Sequence, residues 1–383
     1  MAGCTSSNAA NISFAMHDRS PRGPAGVHPL RSAGLLAVLL GSACAHQDPF
    51  PSGEVPDGGP WSPTPPIQLT LSAGPDLAPA WLLDGSGLAY SFRPEGDLDR
   101  CLGVLPPGGG TRRSEKCVRN DPARDSVDAL TEVAAGPGGR AAWVDARSLN
   151  GHIPPDRGAI RIGTLAPGDT GIPVRTLPYV APSGATHAAA THLGWLDATR
   201  LIYIGADVFY TRACMSCKLD TVVVWREAML LDLSAAPPAP QTIPNTAEAT
   251  SLWPGGDGAS IYYTRAGDTR VFQQVLASGA VSEVHDFGAL GIARDVSVRG
   301  TSLVAVVGGR VSYGTDPLLG PVQRDGGGPI IAVNLTTGGE RTLPFGTRLA
   351  RRTVLAPDGQ TIAAEGYDTL GNVLESDLWL LEE

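Results

Sequence analysis

The chain has 383 residues, 42% hydrophobic and 17% charged, enough for one large domain or two ordinary ones with a real apolar core. Its 48 glycines and 33 prolines make up about a fifth of it, against a usual ~12%, which excludes long uninterrupted helices and coiled coils. The net charge of −9, with lysine only at Lys116 and Lys218, excludes the basic face a nucleic-acid binder needs to displace phosphate counterions.

Residues 1–43 read as an export signal rather than part of a fold. Arg19, Arg22 and Arg31 precede the apolar run Ala33–Leu40, which is far short of the ~20 residues a spanning helix needs. The small residues Gly41, Ser42 and Ala43 then lead to Cys44. This stretch resembles a bacterial lipoprotein signal, in which a small-residue box ends at the cysteine that is acylated; Gly41 stands where the usual leucine would be. The resemblance implies lipidation of Cys44, attachment to a membrane through that lipid, and a place in the bacterial cell envelope, in the periplasm or at the cell surface. Ala43-Cys44-Ala45 is also an A-x-A site, so an ordinary signal peptide cut after Ala45 is the alternative. Residues 44–66 carry seven prolines and little apolar content, which predicts an extended tether that builds no core.

From residue 67 onward a pattern repeats. In Ala78–Phe92 (APAWLLDGSGLAYSF) two short apolar stretches flank the tight turn Asp84-Gly85-Ser86. Looser copies carry Pro137-Gly138-Gly139, Asp197-Ala198, Gly255–Gly258 and Arg299-Gly300, and Arg352–Gly366 repeats the first with Asp358-Gly359. The second strands, taken at Tyr90, Trp143, Tyr203, Tyr262, Ala305 and Ala363, follow one another at 53, 60, 59, 43 and 58 residues. A third and usually a fourth strand follow each pair. Six units of four antiparallel strands with no helix between them predict an all-β, six-bladed β-propeller over residues 67–383. The last copy ends at its third strand, Asp377–Leu381, while a strand-like segment, Ile67–Leu71, precedes the first. The N-terminal segment is therefore expected to complete the last blade and close the ring.

The pattern Ala80-Trp81-x-x-Asp84-Gly85-Ser86-x-Leu88-Ala89-Tyr90, with Leu355–Gly359, resembles the WD40-like repeat of TolB-type six-bladed propellers. The resemblance covers residues 67–383 as a repeat and implies the fold and an envelope setting; it carries neither a function nor a partner.

Four cysteines remain outside the leader and Cys44. Cys101 and Cys117 are equidistant from the turn at residues 106–110, so a hairpin sets them opposite each other within disulfide reach. Cys214 and Cys217 form a second, short-loop pair. Two structural disulfides suit an oxidising compartment; the spacing is poor for zinc, and no metal or cofactor is expected. Glycine–lysine phosphate loops, HExxH and G-x-S-x-G are absent from the sequence. Asp97 and Asp99 read as a solvated turn, His187 and His192 as loop or edge residues, and the recurrent Trp81, Trp143, Trp195 and Trp253 as packing between blades.

The connections 147–157, 207–219 and 311–328 are long and are expected to be loops on one face of the ring. They nominate a binding surface of His152, Arg157, Phe209, Tyr210, Tyr313 and Asp316, residue types that anchor protein partners. The expected function is a monomeric, envelope-tethered scaffold that holds a protein or peptide partner. The alternative is a hydrolase or lyase with its site at the tunnel mouth, which requires three or more carboxylates or histidines converging within hydrogen-bonding reach.

Overall fold

A computed structural model describes residues 66–71, 74–94, 100–117, 126–149, 157–178, 189–211, 220–308, 311–316, 320–325, 327–368 and 376–382. The chain divides into two units, Met1–Pro60 and Trp61–Glu383, and all described residues belong to the second. Cys44, the tether through Pro65, His152, His187, Cys214 and Cys217 lie outside the described residues.

The described chain starts with β1 (Ile67–Gln68). Blade 1 is β2 (Leu77–Trp81), β3 (Leu88–Phe92), β4 (Cys101–Leu105) and β5 (Ser114–Lys116). Blade 2 is β6 (Ser126–Ala135), β7 (Ala141–Leu149), β8 (Arg157–Gly163) and β9 (Ile172–Pro178). Blade 3 is β10 (Ala189–Trp195), β11 (Arg200–Thr211), β12 (Asp220–Asp232) and β13 (Pro240–Thr242). Blade 4 is β14 (Ala249–Pro254), β15 (Ser260–Arg265), β16 (Arg270–Val275) and β17 (Val281–Asp286). Blade 5 starts with β18 (Ala293–Arg299) and β19 (Ser302–Val307), which a separate hairpin, β20 (Val311–Asp316) and β21 (Gly320–Asp325), follows. It is completed by β22 (Ile330–Asn334) and β23 (Gly339–Thr342). Blade 6 is β24 (Arg348–Leu355), β25 (Thr361–Asp368) and β26 (Asp377–Glu382), with β1 as its fourth strand. All pairings within the blades are antiparallel, and the molecule is a six-bladed β-propeller.

The N-terminal strand completes the last blade, as expected from the sequence. Ile67 lies opposite Leu380 and Gln68 opposite Trp379, and the Leu69 N–H donates to the Leu378 carbonyl at 2.7 Å. Burial falls from the axis outward: β3 is buried throughout, whereas β23 is exposed throughout. A lone blade leaves both faces wet, so its core forms only against its neighbours. Six apolar clusters fill the six junctions between blades. The one that seals the ring packs Tyr90 and Phe92 of blade 1 against Val354 and Leu378 of blade 6.

The tryptophans act between blades as the repeat suggests. Trp81 donates from Nε1 to the Val354 carbonyl of blade 6, Trp195 to Ala134 of blade 2, and Trp253 to Val298 of blade 5. Gly136 permits the second contact: a Cβ there would lie 2.5 Å from Trp195 Cε2. Cys101 and Cys117 form a disulfide, with Cα atoms 4.5 Å apart, and the β4–β5 register (Leu102 opposite Lys116) sets them face to face.

Part of each of two expected loops is strand. Residues 207–211 continue β11, which pairs with the start of β12 as a ribbon, Phe209 opposite Val222 and Tyr210 opposite Thr221. Within 311–328, β20 pairs with β21, setting Tyr313 opposite Gln323 and Asp316 opposite Gly320. The first ribbon sets Val208, Phe209 and Tyr210 opposite Val223, Val222 and Thr221, and such β-branched and aromatic residues favour a pleated ribbon over open loop. Arg157 opens β8, opposite Arg147 and Pro178. The two ribbons, from blades 3 and 5, approach each other where β21 meets β12.

Candidate functional site

Each of the six innermost strands carries a one-residue bulge. The register with the second strand shifts between Leu77 and Ala80, Thr131 and Ala134, Thr191 and Gly194, Ala249 and Ser251, Ala293 and Asp295, and Ala350 and Arg352. In the first three blades the bulge puts Ala78, Glu132 and His192 at a φ of 52°, left-handed backbone that non-glycine residues adopt at a cost of about 1–3 kcal/mol. A bulge re-aims side chains. Here it gathers the polar residues Glu132, His192, Ser251, Asp295 and Arg352 from five different blades.

Their hydrogen bonds cross the axis. Arg352 of blade 6 donates to Glu132 of blade 2, Nη1 to Oε2 at 2.9 Å and Nη2 to Oε1 at 3.4 Å. Glu132 Oε2 also accepts the backbone N–H of His192 at 2.9 Å. His192 of blade 3 reaches Asp295 of blade 5, Nε2 to Oδ1 at 3.3 Å, and its Nδ1 lies 3.2 Å from the Thr191 hydroxyl. Asp295 Oδ1 accepts the Ser251 hydroxyl at 2.8 Å, and Oδ2 accepts the Thr353 N–H at 2.6 Å. Two of these contacts, Arg352–Glu132 and His192–Asp295, join blades that are not neighbours, and the rest tie adjacent blades to them, so together they plug the tunnel.

Electrostatics hold the plug in one ionisation state at Arg352. Burial acts to lower its pKa, but Glu132, Asp295 and Glu365 outweigh it and raise the pKa, so the guanidinium stays charged. Burial raises the pKa of Glu365, against the pull of Arg352 and of the Ala78 N–H that Oε2 accepts at 3.0 Å.

On one side of the plug lies a cavity of about 280 Å³. Glu132, His192, Asp295 and Arg352 line it from the plug; Trp81, Trp195, Trp253, Leu83 and Pro137 are among its apolar lining. It opens among the tight turns between first and second strands, at Leu196–Ala198 and Gly255–Gly256. This is the face opposite the ribbons. The structure therefore brings together a set of residues that the loop-length argument did not nominate. His192, expected at a loop or edge, stands in the plug. The available signal was a polar residue, Glu132, His192, Ser251, Asp295 or Arg352, three or four positions before the end of the first strand in five of the six copies.

Of the convergence an enzyme requires, His192 and Asp295 meet side chain to side chain, and Glu132 meets the His192 backbone N–H. Its chemistry is nevertheless inward. The four hydrogen-bond contacts on Asp295 come from Ser251, His192 and Thr353. The Ser251 hydroxyl donates to that carboxylate while accepting the Val296 N–H at 3.0 Å, so its proton and one lone pair are both engaged within the protein. Among the described residues no group of three or more His, Cys, Asp or Glu has the arrangement of a metal site.

The class of protein this defines is an all-β six-bladed propeller with a blind funnel closed by an ionic plug. No family model matches the chain, and no curated protein matches it. Solved structures with a similar course of chain include a chain of a mitotic checkpoint complex, at 12% identity and a TM-score of 0.45, covering 88% of this chain and 98% of that one. An oligogalacturonate lyase in complex with manganese is similar at 12% identity and a TM-score of 0.47, over 82% of this chain and 79% of the other. A luciferin-regenerating enzyme is similar at 13% identity and a TM-score of 0.48, over 83% and 95%. These likenesses carry no argument about activity; the fold rests on the strand topology itself.

Proposed function

We propose that this chain is a binding propeller of the TolB type, exported and tethered to the cell envelope through a lipid on Cys44, that holds a segment of a protein partner in the funnel of its tight-turn face. The observation that carries the reading is the blind funnel itself: apolar walls with three tryptophans end on a plug whose hydrogen bonds are satisfied within the protein. Such a site offers shape and apolar contact to a ligand, while the charged groups of the plug hold the blades together.

The test is site-directed photo-crosslinking in cells that make the full chain. A photoreactive residue at Ala198 or Leu83, both lining the funnel, is expected to trap one protein, whereas the same residue at Ser282 on the exposed outer strand β17 traps none. A funnel that traps nothing refutes the reading. A second reading, a hydrolase or lyase, is favoured by the meeting of Glu132, His192 and Asp295. It predicts that the trapped segment is recovered cleaved or chemically altered, and intact when His192→Asn replaces the wild type. The tether is tested in the same cells, since Cys44→Ala is expected to move the chain from the membrane fraction to the soluble one.

A further inference from the structure

We infer that the funnel captures the free C-terminus of a protein chain, with Arg299 receiving the terminal carboxylate. The inference rests on the binding reading above and adds to it the chemistry of the captured group.

The funnel is blind, because Arg352–Glu132 and His192–Asp295 cross the tunnel below it. A strand cannot thread through it, so what enters is an end or a side chain. The charged groups around the cavity are then decisive. Glu132 is paired with Arg352, Asp295 with His192, and Asp197 with Arg200 at 2.7 Å. Arg299 stands apart: it lines the cavity, its guanidinium lies 5.8 Å from the centre of the Trp253 ring, and its Nε is shielded from solvent with no acceptor among the described residues. Burial alone lowers its pKa, and no neighbouring charge acts on it. A half-buried arginine without an acid partner gains most from a carboxylate, whose two oxygens match its planar fork. An N-terminal amine would meet the same guanidinium as a like charge. Trp253, Leu252 and Pro254 beside it supply apolar surface for the last side chains of the ligand.

The probe is a library of random hexapeptides with free C-terminal carboxylates, and the same library C-amidated, each passed over the immobilised full chain. Retained members are identified by mass spectrometry. The expected result is retention from the carboxylate library at least about tenfold above the amidated one, the scale of one charge-assisted hydrogen bond. Arg299→Met is expected to erase the difference and Arg299→Lys to keep part of it, with thermal unfolding of each variant confirming the fold. Equal retention of both libraries, or none of either, overturns the inference. So does retention of amidated members rich in Asp or Glu, because the captured group would then be a side chain. None of these outcomes touches the crosslinking result at Ala198, which decides the broader reading separately.

Discussion

Asp76 sits where the ring closes, and its protonation sets a pH dependence that one substitution removes. It lies in the link between β1 and β2, its side chain has no exposed surface, and its N–H donates to the Ser376 carbonyl at 2.7 Å. Neither carboxylate oxygen has a well-formed hydrogen bond, although the Thr70 hydroxyl lies close enough to favour the charged form. Burial pushes the pKa from 3.8 up to about 7; Thr70 opposes the rise, Asp377 adds to it, and Arg112 and Arg100 oppose it. Below pH 3.8 the group is protonated whether the chain is folded or not, and it contributes nothing to the pH dependence. Between 3.8 and about 7 the unfolded chain ionises Asp76 while the folded one keeps its proton, so stability falls as pH rises. At about 1.4 kcal/mol per unit, that interval amounts to about 4 kcal/mol, fully lost above pH 7. Asp76→Asn keeps the shape and removes the charge. Urea unfolding of the two proteins should therefore give equal stabilities near pH 3.5 and a variant about 4 kcal/mol more stable at pH 8. A difference that does not grow between pH 4 and pH 7, or a variant less stable at pH 8, refutes the reasoning.

Two further outcomes concern the plug and the disulfide. Arg352→Met leaves Glu132 and Glu365 in the interior without their cation and should cost about 3–5 kcal/mol in urea unfolding, part of which Glu132→Gln restores in the double variant. Strictly additive losses would show that the cross-axis pair does not couple. Replacing Cys101 and Cys117 together by serine opens a loop of 16 residues' separation and should lower stability by about 3 kcal/mol, which comparison of oxidised and reduced wild type also reads. An unfolding midpoint indifferent to reductant would contradict it.

Much of the fold is written locally. Asp84-Gly85-Ser86 and Asp358-Gly359 mark hairpin turns because their residue types close turns wherever they occur: Asp84 Oδ1 accepts the Ser86 N–H, and Asp358 Oδ1 the Gln360 N–H. The missing fourth strand after Leu381 and the surplus segment at Ile67 forced the closure. The positions of Cys101 and Cys117 about one turn gave their pairing. Length marked the connections at 207–219 and 311–328 but not their form: residues 207–211 and the β20–β21 hairpin are paired ribbon.

What the order of residues settled by itself is the periodic part: six blades, their turns, the clasp and the tryptophans between them, since each depends on neighbours a few positions apart or on a count of strands. What only the assembled ring decided is the plug and the funnel. Glu132 and Arg352 are separated by 220 positions. They meet because a one-residue bulge in each innermost strand turns side chains toward a common axis, and that axis exists only once the blades have closed around it.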